Sequence, residues 1–192
     1  MEDTATRRID QWLCEYCRDH GMEHTEHLAF RVLGKPQSFG SKSPWVMKNK
    51  DGSFRTRPNG SPLIVTRDSN KAVQPWMASV RAAAAEVHRG PLLAGPLMLC
   101  AIFYFRRPKG HFGTGRNANT LKASSPRYHT QKFDLGKLVR AIEDAMSGIV
   151  YRDDKQISAY GQIWKEWTTE QERAEIWILA LEPQPTPTEV MP

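Results

Sequence analysis

The chain has 192 residues, 40% hydrophobic and 25% charged, with a net charge of +6. That is enough for one domain with its own core. No apolar run approaches the roughly eighteen residues of a membrane span, and the opening MEDTATRRIDQWL has acids early and no apolar stretch, so it does not read as a secretory leader.

Residues 5–27 read as a helical extension, interrupted or capped at Gly21. Within it, CEYCRDHGMEHTEH places Cys14, Cys17, His20, His24 and His27 at spacings of three or four. Cys14, Cys17, His24 and His27 are a candidate Zn²⁺ set, though far more tightly spaced than a zinc finger. The other readings are a helix packed on the domain and a loose appendage. With Cys100 the chain has three cysteines, which do not make a disulfide framework, and a reducing cytoplasm is the expected setting.

From Phe30, FRVLGKPQSFGSKSPW reads as a short strand running into a basic irregular segment. NKDG and RPNG mark turns, and PLIVT (62–66) a strand. Asp68 or Ser69 can cap a helix reaching about Val87, with Pro75 marking a start or a bend. Its AAAA run supports helix, and Gly90-Pro91 ends it. PLMLCAIFYF (96–105) is a long, apolar, central strand, so Cys100 belongs in the core. Residues 106–133 have no clear period, and so long a loop in a compact domain is usually functional or disordered. Asp134 opens a helix whose Leu135, Leu138, Ile142, Ala145 and Ile149 face a core, and Ser147-Gly148 ends it. Residues 155–167 and 172–180 read as adjacent strands joined in a hairpin. The Pro-rich end, 181–192, reads as a disordered tail. No internal repeat stands out. The order suggests an α+β fold: two layers, a mixed sheet with helices on one face.

Charge is divided along the chain. Positions 1–133 hold 21 Lys+Arg against 10 Asp+Glu; positions 134–192 hold 6 against 11. Between positions 86 and 134 there is no acid, but eight Lys or Arg with His88, His111 and His129. Such a field suits a polyanion. Lys35, Lys42, Lys48, Lys50, Arg55 and Arg57 make one basic stretch. Arg106, Arg107, Lys109, Arg116, Lys122, Arg127 and Lys132 make another. Contacts of this kind position DNA without reading bases. Phe39, Trp45, Phe112 and Tyr128 could stack on exposed bases.

The acids concentrate in KFDLGKLVRAIEDAMSGIVYRDDKQI (132–157). Asp134 suits a first helical turn, Asp144 pairs by spacing with Arg140, and Asp153-Asp154 falls in a turn. Solvated acids explain all of this. The functional reading is a Mg²⁺ site for phosphodiester hydrolysis, needing the following strand to bring Asp154 toward Asp134.

This segment resembles the signature of the RusA family of Holliday-junction resolvases. YFRRPKGHFGTGRNANTLKASSPRYHTQK resembles the basic loop of its phage members, and FRVLGKPQSFGSKSPW their opening strand and loop. The resemblance spans residues 28–180, which it marks as a nuclease domain. It implies a homodimeric endonuclease of a bacterial or phage setting that nicks four-way DNA junctions symmetrically with Mg²⁺ or Mn²⁺. By position it implies Asp134, Asp154 and Arg140 as catalytic and Asp134, Asp144, Asp153 and Asp154 around metal. From the basic stretches, Lys35, Lys42, Arg106, Arg107, Lys109, Arg116, Lys122, Arg127 and Lys132 are the candidate DNA contacts. Arg140 stands where many members have Lys, Phe133 replaces the usual Pro, and Gly136 replaces a carboxylate. The alternative is a weakened or silent junction-binding homologue. Trp164, Trp167 and Trp177 are expected in the core or at a subunit interface.

Overall fold

The structure, a computed structural model, describes residues 4–19 and 27–181. In chain order these form α1 (Thr4–Asp19), β1 (His27–Leu33), β2 (Lys42–Val46), β3 (Ile64–Asp68), α2 (Val73–Val87), β4 (Leu97–Arg106), α3 (Leu135–Met146), β5 (Ile157–Thr168) and β6 (Arg173–Ala180).

The sequence of β4, LMLCAIFYFR, is buried at every position but the last. A run with apolar side chains on both faces needs cover on both, and so takes a central place. The sheet order is β1-β6-β4-β5. β6 is antiparallel to β1 and to β4, whereas β5 is parallel to β4. The expected hairpin between the last two strands does not form, because β4 lies between them. Parallel neighbours need a crossover, and α3 supplies it.

Two apolar layers result. Leu97, Leu99, Ala101, Phe103 and Phe105 of β4 share the main core with α2 and α3. Met98, Cys100, Ile102 and Tyr104 face the other way, against Leu13 and Cys17 of α1 and Trp177 of β6. The fold is thus the expected α+β arrangement, a mixed sheet with α2 and α3 on one face; α1 packs on the other. Trp167 is in the main core, and Trp164 packs beside Trp177 in the second layer. In α2, Val73, Trp76, Met77, Val80 and Ala84 are buried, one helical stripe. Pro75 sits in its first turn, where no intrahelical N–H is lost. The N-cap position falls on Ala72, later than the expected Asp68 or Ser69, and the Asn70 side chain accepts from the Ala72 N–H at 3.1 Å.

β5 carries an irregularity that matters for the site. Leu99 pairs with Tyr160, but Ala101 pairs with Ile163, so β5 has one residue more than β4 across this step. Such a bulge reverses the inward-outward alternation. Tyr160 and Lys165, five positions apart, therefore point to the same side, Tyr160 to Glu143 of α3 and Lys165 to the carbonyl of Phe133 just before it. Gly161 fits beneath α1: a Cβ there would lie 2.5 Å from Cys100 Sγ and 2.8 Å from the Trp12 ring.

Although no internal repeat was expected, the sequence between β2 and β3 contains a short one: KNKDGSFR (48–55) and TRPNGSPL (56–63). Met47, Arg55 and Leu63, eight apart, close a ring of backbone bonds. The Met47 N–H donates to the Leu63 carbonyl, Arg55 to Met47, and Leu63 to Arg55, at 2.7–2.9 Å. Each repeat is a hairpin lobe with its own turn.

Candidate active-site groove

Helix α3 runs beside edge strand β5, tied to it by Tyr160 and, just before the helix, by Lys165, and with residues 39–42 and Thr66 it lines a groove. At the helix start, Asp134 is the N-cap, and its Oδ1 accepts from the Lys137 N–H at 3.2 Å. That satisfies one orphan donor of the first turn. Before it, Phe133 has φ +82°, alone among described non-glycine residues in being positive. The left-handed region costs an L-residue on the order of 1–2 kcal/mol. Its surroundings hold it there. The ring stacks on Phe105 at 5.2 Å, and the carbonyl accepts from Lys165 Nζ at 2.6 Å. Lys35 and Lys132 place their ammonium groups 5.6 and 5.5 Å from the same ring. Three lysines from separate segments thus meet beside Asp134. Burial lowers the Lys165 pKa, opposed by the charge of Asp134.

Further along α3, Glu143 is buried, and its Oε1 accepts from the Tyr160 hydroxyl at 2.7 Å. Burial raises its pKa; Tyr160 opposes the shift, and the charges of Asp154 and Asp144 add to it. Asp144 is also raised, first by burial, with Arg140 opposing and Asp154 adding. Arg140 Nε lies 3.9 Å from Asp144 Oδ2. The structure therefore brings Asp154, Asp144 and Glu143 into one electrostatic neighbourhood. Asp153 is occupied locally. It caps the 3₁₀ turn Asp154–Gln156, accepting from the Lys155 N–H at 3.1 Å, and these backbone contacts lower its pKa.

Asp134 and Asp144 are ten positions apart, about 15 Å along a helix axis. Carboxylates that far apart cannot bind one ion. Among the described residues, no three His, Cys, Asp or Glu side chains are grouped to hold a metal. The donors are nevertheless the hard oxygens that Mg²⁺ takes, and Mg²⁺ is commonly held by one or two carboxylates with waters and substrate phosphate. Asp144 and Asp154, two acids in each other's field, fit that pattern. Gly136 contributes no ligand; a Cβ there would lie 3.4 Å from Asp134 Oδ1. His24 lies outside the described residues, as do the side chains of Cys14 and His27, while Cys17 is buried in the α1 layer.

The basic residues divide by role. Lys42, Lys137 and Arg140 line a cleft of about 630 Å³ with Asp144. Arg106, Arg107, Lys109 and Lys122 line another of about 930 Å³ in the 106–122 loop. There Lys122 Nζ donates to the Gly110 carbonyl at 2.8 Å and Arg107 to Pro126 at 2.7 Å, so both also shape the loop. Arg116 is exposed. Arg127 is paired with Glu166 at 3.0 Å. Glu143, Tyr160 and Lys165 escape a reading from sequence. The alternation Ile163, Lys165, Trp167 hints at Lys165, but the bulge hides Tyr160, and Glu143 sits in a helix stripe otherwise apolar.

No curated protein matches the chain. The family Endodeoxyribonuclease RusA matches residues 51–179, more than half of it, including the 106–133 loop, α3, the Asp153-Asp154 turn and β4–β6. The chain carrying this groove belongs to the RusA endodeoxyribonuclease family.

Proposed function

We propose that the protein is a structure-selective endonuclease of the cytoplasm that, as a homodimer, binds branched double-stranded DNA and nicks four-way junctions in paired, symmetric fashion with Mg²⁺ or Mn²⁺. The observation that supports this reading is a chain of the RusA family with Asp144 in a cleft lined by Lys42, Lys137 and Arg140. A divalent ion there would activate water and neutralise charge on the phosphate. The chain's own residues would do the rest. Lys35, Lys132 and Lys165 would hold the phosphate backbone beside Asp134. Arg140, always charged, would supply a fixed positive field rather than a mobile proton. Tyr160 would hold the Glu143 carboxyl in place through its hydroxyl. A two-fold dimer would set two such grooves on opposing strands of a two-fold junction.

A second reading, a homologue that binds junctions without cutting them, is favoured by Gly136, since water can replace a missing ligand but not its charge. A labelled four-way junction incubated with Mg²⁺ or Mn²⁺ separates the two. Paired nicks by the natural protein, abolished in Asp154→Asn, support the nuclease. Tight binding without nicks, with cutting gained only by Gly136→Asp, supports the silent homologue. Neither binding nor cutting in any variant refutes both.

A further inference from the structure

The arm formed by residues 47–63 is a small three-way hairpin with no core of its own. Lys48, Lys50, Arg55 and Arg57 are exposed on it, and among the described residues none is ion-paired with an acid. Its single acid, Asp51, is committed to a turn: it accepts from the Ser53 N–H at 2.9 Å and the Ser53 hydroxyl at 2.6 Å. Asn59 repeats that turn with Ser61 at 3.1 and 2.7 Å. The two lobes are thus built alike, rigid by local bonds, and positive. Phe54 is 56% exposed, with Lys48 Nζ 5.3 Å from its ring centre.

We propose that this arm is a separate DNA-contact surface, with Lys48, Lys50, Arg55 and Arg57 seated on the phosphates of a duplex beside the groove. Charge chooses this partner over a second copy of the chain. A two-fold contact of arm with arm would set these four cations against themselves. Position supports it as well. Lys42 and Thr66, at the root of the arm, line the same cleft as Arg140 and Asp144 of α3. A duplex lying on the arm would therefore continue toward the groove. The inference deepens the nuclease reading by naming where a second stretch of DNA is held, but the contact itself needs no cleavage.

The test is a variant with Lys48, Lys50, Arg55 and Arg57 all replaced by Gln. Binding to a linear duplex and to a four-way junction is followed by fluorescence anisotropy across a salt series, in EDTA. If all four residues displace counterions, the slope of log K against log salt becomes shallower by about 3 to 4, and affinity near 0.1 M salt falls at least tenfold. An unchanged circular-dichroism melt would assign the loss to contact rather than to folding. Slope and affinity matching the natural protein would overturn the proposal. So would a drop in oligomeric state by sedimentation with affinity per protomer unchanged, which would give the arm to a second copy. The two readings fail separately. A natural protein that never nicks, but whose variant loses salt-dependent binding, removes only the nuclease reading. A variant that binds and nicks like the natural protein removes only the arm.

Discussion

Replacing His129 with Leu should flatten the acid sensitivity of the fold. The imidazole is 6% exposed, its ring 4.2 Å from both Phe105 and Trp167, and its Nδ1 has no hydrogen-bond partner. Burial, with Lys165 and then Lys35 adding positive charge, lowers its pKa from 6.5 to about 4. A folded-state value depressed in this way contributes stability that is fully present above 6.5. That contribution is lost as pH falls through the folded value near 4. At pH 5 the unfolded histidine is mostly charged while the folded one stays neutral. The gap between 6.5 and 5 is about 1.5 units, or roughly 2 kcal/mol at about 1.4 kcal/mol per unit. Urea denaturation at pH 7 and pH 5 measures this directly. The natural protein should lose about 2 kcal/mol more between the two conditions than His129→Leu, whatever the substitution costs at pH 7. Carboxylates titrate in both proteins and cancel in the difference. Equal losses would show that the imidazole is not held neutral, and the reasoning from its burial would fail.

Gly161→Ala should destabilise by about 1–3 kcal/mol, because its methyl group would collide with Cys100 and Trp12 where α1 meets the sheet. Calorimetry gives the cost, and faster proteolysis of α1 would locate it. Gly136→Ala should stabilise by up to about 1 kcal/mol. The site is inside a helix and a Cβ meets only Asp134 Oδ1, at 3.4 Å. A loss of stability in urea would show that the Asp134 cap depends on that open space.

Much of the fold can be read in the sequence, because burial leaves periodic marks. β4 announces itself by its unbroken apolar run, and α3 by the stripe Leu138, Ile142 and Ala145 behind an acidic cap. Strand order does not show in such marks. Nothing local to β5 and β6 says that β4 will come between them; that follows from the need to cover both faces of β4. The candidate acids were visible as a spacing pattern, and Asp134 and Asp144 stand on α3 as expected. The groove's other wall was not visible. It depends on a bulge opposite Cys100 that lets Tyr160 reach α3 and Lys165 the residues just before it, and on backbone carbonyls, such as that of Phe133, whose positions no side-chain pattern encodes.

The left-handed backbone at Phe133 also decides which residues that position can accept. Proline fixes φ near −65°, roughly 150° from the angle found here. A proline at 133 would force the chain to enter α3 along a different path and would re-aim Asp134. A side chain added at 136 would meet the same carboxylate from within the helix, its Cβ 3.4 Å from Asp134 Oδ1. Positions 133 and 136 thus act on one cap from its two sides, and a substitution at either is felt at Asp134.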